Sequence, residues 1–204
     1  MRAPGVLCVA AVLLVFRLGV AAAEDENRAQ ALRHAQSAFA AAQRGDWGVA
    51  RDGLRKAVAA AEKSDADQRT MAVLYYEYGR ALGVTCRYGE ARTYLEKALA
   101  FDEVMGGPVY MSHVELARLN RAGRSLQEAQ WHYRTVKPML VAQNVPDVDP
   151  IGYADLLDEY ADVLERIGRQ GEAGALRSQS RKLRAAHPGR TSRVSATPYG
   201  THCD

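Results

Sequence analysis

From Glu24 to His187 the apolar residues recur every three or four positions, and no stretch alternates apolar with polar as a strand would. This spacing predicts an all-α chain of eight helices in four pairs. The pairs are about Asn27–Arg44 with Asp46–Lys63, Asp67–Cys86 with Tyr88–Glu103, Val109–Ala122 with Leu126–Val141, and Pro150–Ile167 with Gln170–Ala186. Local signals mark the ends. Ser125-Leu126-Gln127-Glu128 has the form of a capping box, Asp46 is placed to cap the second helix, and Asp149 precedes a proline in the first turn of the seventh. Gly106-Gly107-Pro108 separates two pairs, and Pro138 should kink the sixth helix or end it early.

A unit returns four times within this pattern. Small anchors stand at Ala50, Ala91, Ala129 and Ala173, spaced by 41, 38 and 44 residues. Each is preceded by 12 positions by another small residue: Ala38, Gly79, Ala117 and Ala161. Two antiparallel helices approach closely only where both carry small side chains, and large neighbours one turn away fill the flanking grooves. A repeat of this kind places function on an extended surface rather than in a catalytic pocket.

Tyr78-Gly79, Ala81-Leu82, Tyr88, Ala91, Leu95 and Ala98-Leu99 carry the pattern in the second unit. Leu116-Ala117, Leu126, Ala129 and Tyr133 carry it in the third; Tyr160-Ala161, Leu164 and Gly168 carry it in the fourth. This pattern resembles the tetratricopeptide repeat, in the longer-unit variety of kinesin light chains. The resemblance covers about Arg28 to Ala186 and implies a right-handed α-solenoid of about four helical hairpins. In the fourth unit Arg177 and Ser180 replace apolar residues, so the last helix reads as a solubilising cap.

The first 23 residues fall outside the repeat pattern: Arg2, a short apolar run from Val6 to Phe16, then Ala21-Ala22-Ala23. This is the form of a secretory signal peptide cut before Glu24. It predicts an exported protein, periplasmic in a bacterium or otherwise secreted. The domain then runs over 24–187, and residues 188–204, polar and aperiodic, read as a disordered tail. Cleavage leaves 25 basic residues against 24 acidic ones, which argues against a nucleic-acid binder. It also leaves only Cys86 and Cys203, too few for a disulfide framework. A free, half-buried Cys86 is the favoured reading, with a bridge to Cys203 the alternative.

No catalytic or phosphate-binding motif is present, and none of the five histidines lies three or four residues from another. We therefore expect no enzyme activity, no metal site and no cofactor. Trp47 reads as a packing wedge, and Trp131 as core or inter-repeat packing. By the tetratricopeptide resemblance, the first helix of each pair lines a concave groove. That groove would present Phe39, Val73, Tyr76, Arg80, Met111, Val114, Arg118 and Arg121, then Asp155, Asp158, Asp162 and Glu165. These charges either meet a charged segment of a partner protein or form solvated helix faces. The cationic end of the chain, Arg177 to Arg193, is a solvated helix end with at most peripheral membrane contact. The functional expectation is a scaffold that binds a protein or peptide. The alternative is a structural or accessory subunit of a bacterial envelope assembly for secretion, pili or polysaccharide export.

Overall fold

The computed structural model describes residues 6–203, with side chains from residue 23 onward. Nine helices occur among the described residues: α1 (Val6–Gln43), α2 (Trp47–Ala61), α3 (Gln68–Val84), α4 (Tyr88–Met105), α5 (Val109–Ala122), α6 (Leu126–Ala142), α7 (Val145–Val148), α8 (Pro150–Arg166) and α9 (Gln170–Ala186). Residues 1–22 of the expected leader lie outside the residues whose side chains are described. The backbone of α1 continues through it from Val6. No helix of the described residues is long and apolar enough to cross a membrane.

The hairpins are α1/α2, α3/α4, α5/α6 and α8/α9, and α2, α4 and α6 each pack against the next pair. One turn joins the two helices of every hairpin. Gly45, Cys86, Arg124 and Gly168 each take a left-handed backbone, with φ of 83°, 65°, 62° and 83°. The next residue then donates its amide back to the carbonyl five positions earlier: Asp46 to Ala41, Arg87 to Leu82, Ser125 to Asn120 and Arg169 to Leu164. Carbonyls left open at each helix end are thereby satisfied. Glycine meets the left-handed requirement at no steric cost in two of the four.

The small anchors are closely packed. A Cβ added to Gly79 would lie 2.8 Å from Leu95 Cγ and 3.1 Å from the Ala91 carbonyl oxygen. Ala117, Ala129, Ala161 and Ala173 are fully buried. The core forms two clusters that meet at α5, where Leu116 and Leu119 belong to one and Ala117 to the other.

Several local expectations are corrected. Ser125 makes no capping hydrogen bond; its hydroxyl accepts instead from Arg92 at 3.2 Å. Asp46 makes none either and pairs with Arg44. Asp149 does cap α8, accepting from the Gly152 amide at 3.0 Å. Pro138 lies inside α6, which continues to Ala142. The largest correction is the tail. Residues 192–203 lie back along the repeats, tied by contacts to α3, α5 and Asp149.

Candidate functional site on the concave face

The concave floor is built from α3, α5 and α8, and its charges are paired within the molecule. Arg80 donates to Glu77, three residues earlier along α3, at 2.9 Å, and lies 3.7 Å from Glu115 of α5. Its guanidinium also sits 5.6 Å from the centre of the Tyr76 ring. Arg118 donates to Glu159 at 2.9 Å and lies 3.5 Å from Glu115. The Tyr133 hydroxyl donates to the same Glu159 oxygen at 3.1 Å. Burial works against the charged form of Arg118, but Glu159 and Glu115 outweigh it and hold the guanidinium more firmly protonated than usual. Burial raises the Glu77 carboxyl, with Arg80 opposing.

By sequence alone Arg80, Arg118 and Arg121 are open to a partner. The structure places them in ion pairs instead, with Arg121 lying 4.0 Å from Asp162. The acids of α8 are engaged as well. Arg184 of α9 donates to Asp155 at 2.7 Å and to Asp158 at 2.9 Å. Arg177 forks onto Glu165 at 2.7 Å. The polar last helix is thus clamped to its neighbour by arginine–carboxylate pairs. Phe39 packs against the first core cluster and Val114 against the second.

Along this floor runs the tail. Ser192 Oγ and the Arg193 amide both donate to Asp149 Oδ2 at 3.1 Å. Arg80 Nε donates to Thr197 Oγ1 at 3.0 Å. The half-buried Tyr199 donates its hydroxyl to Glu115 at 2.7 Å, and burial next to that carboxylate raises the phenol well above its usual range. The Gly200 and His202 amides donate to the carbonyls of Gly83 and Val84 at 3.3 and 3.2 Å. Cys203 is joined to Cys86, 117 residues earlier, so the free-Cys86 reading does not hold.

Beside the tail an apolar groove stays open. A cleft of about 800 Å³ lies between the start of α3 and the α4–α5 turn, lined by Val73, Tyr76, Met105, Pro108 and Met111. A second of about 350 Å³ shares Tyr76 and Met111 with it and adds Val114, Leu156 and the tail's Val194. Val73 and Met111 are exposed at 50% and 38%.

One cluster is not visible in the sequence. His113 and His132, 19 residues apart, face each other with Nδ1 atoms at 3.0 Å. Trp131, expected to pack inward, is 47% exposed and lies edge-on to both rings. No signal at helical spacing within one element could have joined residues on α5 and α6. No group of three metal-type ligands occurs among the described residues.

Comparison with solved structures rests on this architecture. A structure titled BtubC (BKLC) from P. vanneervenii aligns with TM-score 0.68 at 17% identity, covering 80% of this chain and 67% of that one. A putative kinesin light chain from Podosopora anserina, described as having nearly identical TPR-like repeats, aligns with TM-score 0.62 at 23% identity, covering 78% and 77%. The fold is a tetratricopeptide-like helical solenoid. MamA gives TM-score 0.59 at 17% identity, with 82% and 87% covered. No protein-family model matches the chain, and no curated protein matches it. At these identities the tetratricopeptide-like likeness concerns the fold.

Proposed function

We propose that this chain is an exported, non-catalytic scaffold that takes an extended segment of a partner protein along its concave face. One observation carries the reading. An extended segment, residues 192–203, already lies there, with backbone amides on the Gly83 and Val84 carbonyls and side chains on Arg80 and Glu115. The open apolar groove beside it supplies the area such a partner would bury. Ion pairs engage the charged floor, so the partner's apolar contact is with Val73, Tyr76 and Met111, and Arg80 and Arg118 do not act as free cations toward it. Export is supported by the leader pattern and by the Cys86–Cys203 bond, a kind of link that persists in oxidising compartments.

The test is site-specific photo-crosslinking in cells of the source organism. The probe is placed at Val73, at Met111 and, as a control, at the exposed Glu96 of α4. The reading predicts one discrete protein adduct from Val73 and Met111 and none from Glu96. Absence of an adduct at both groove positions, or equal labelling at all three, contradicts it.

A further inference from the structure

The part of the tail that makes the contacts is short. Thr197 is buried, and Pro198, Tyr199 and Gly200 are half-buried, whereas residues 193–196 and 201–203 are exposed. The surface beneath is shaped for this stretch. Gly83, the penultimate residue of α3, lies against the Tyr199 ring. A Cβ there would lie 2.5 Å from Tyr199 Cδ1 and 2.6 Å from Leu119 Cδ1, so any side chain at 83 would fill the space of the ring. The buried Glu115 carboxylate accepts the phenol, and Arg80, held by Glu77, presents Nε to the threonine hydroxyl. Gly200 has φ 75°, and a Cβ on it would lie 2.5 Å from the Tyr88 hydroxyl. A ring, a hydroxyl and a glycine are thus each read by a different feature of the scaffold.

The tether is placed just beyond. Cys86 occupies the left-handed turn position that Gly45 and Gly168 fill in the first and fourth hairpins. Cys203 follows Tyr199 by four residues. A cysteine at a backbone position that favours glycine is explained by its bond to the tail.

We propose that the concave face carries a site that reads an extended Thr-Pro-Tyr-Gly segment, that the chain's own tail occupies it under the Cys86–Cys203 tether, and that the partner delivers a tyrosine-bearing segment of the same chemistry once a protein dithiol has opened the tether. This rests on the scaffold reading above and names the regulation of the same face. In the opening step a thiolate of the dithiol attacks one sulfur of the bond, releasing the other cysteine as thiolate. The second thiol of the reductant then displaces the remaining cysteine. Two electrons and two protons pass to Cys86 and Cys203, and the reductant leaves as a disulfide. The freed tail stays attached through α9 and competes at a lower effective concentration than when tethered.

The test uses the full chain and a fluorescent peptide with the sequence of residues 192–202. Its binding is measured by anisotropy to oxidised protein, to the same protein in dithiothreitol, and to a Tyr199→Ala, Cys203→Ser double variant. The double variant is expected to bind at least about tenfold tighter than oxidised protein, with reduced protein between them, since a tethered competitor raises the apparent dissociation constant. The same peptide with alanine for tyrosine should bind about tenfold more weakly, in line with loss of a buried aromatic anchor. Adding Gly83→Ala to the double variant should abolish binding while helicity is kept, because alanine favours helix. Equal affinity across the three forms, or indifference to the peptide's tyrosine, overturns the proposal. Reduced wild type carries the test if the double variant does not fold. The scaffold reading is judged separately, by crosslinks from Val73 and Met111, which lie outside the tyrosine socket.

Discussion

Arg118 and Glu159 meet at 2.9 Å across the concave floor, one from α5 and the other from α8, and both side chains are only 12% exposed. The pair joins the third hairpin to the fourth. Removing one partner of such a pair leaves an uncompensated buried charge, whereas the intact pair is close to neutral for stability. Arg118→Ala is therefore expected to cost about 3–5 kcal/mol, read by urea denaturation. Exchanging the two residues, Arg118→Glu with Glu159→Arg, should restore part of that loss. A single variant within error of wild type would return Arg118 to the role of a free surface cation.

The close approach at Gly79 gives a second prediction. Alanine there meets the Leu95 side chain and the Ala91 carbonyl, so overpacking of about 1–3 kcal/mol outweighs the gain in helix propensity. Leucine at 79 should unfold the hairpin. Gly174, also helical but with nothing within 4 Å, is the control: Gly174→Ala should stabilise by about 1 kcal/mol. Thermal melts that rank the two alanine variants in the opposite order would contradict the packing argument.

The hairpins were legible because each is encoded locally. Small residues 12 apart, large ones a turn away and a turn after each first helix bring α3 onto α4 and α5 onto α6 using neighbouring residues alone. The tail was not legible, because a polar, aperiodic segment carries no sign of where it docks. Its contacts span 84 residues from Tyr199 to Glu115 and 117 from Arg80 to Thr197. The pairing of the concave arginines did leave a signal. Glu77 and Glu115 stand three residues before Arg80 and Arg118, the spacing at which helix neighbours meet. That signal marks them as structural pairs rather than partner contacts. The link from Arg118 to Glu159, 41 residues on, needed the fold.

Arg124 offers a backbone test. It holds φ 62° at the turn position where Gly45 and Gly168 sit. A non-glycine residue there is strained by about 1–2 kcal/mol. Arg124→Gly should raise stability by up to about 1 kcal/mol once the added freedom of the unfolded chain is deducted. A lowered midpoint in denaturant would mean that the Arg124 side chain holds the turn by other contacts.

The His113–His132 pair sets a pH dependence. Burial, then His113 and Arg92, hold the His132 imidazole at about 4, below its ordinary value of 6.5; burial also lowers His113. Between those two values the unfolded chain binds a proton that the folded His132 does not. This contribution is fully present above pH 6.5 and is lost as pH falls toward about 4. Replacing His132 by Gln should flatten the dependence of melting temperature on pH across that window. Parallel profiles for variant and wild type would contradict it.

Amide hydrogen exchange on the oxidised full chain tests the central claim, that the tail is seated on the concave face. The account predicts that the Gly200 and His202 amides, which donate to the Gly83 and Val84 carbonyls, exchange far more slowly than the same sequence as a free peptide. Slow exchange should vanish at both sites in Tyr199→Ala combined with Cys203→Ser. Free-peptide rates at Gly200 and His202 in the oxidised wild type would contradict the account.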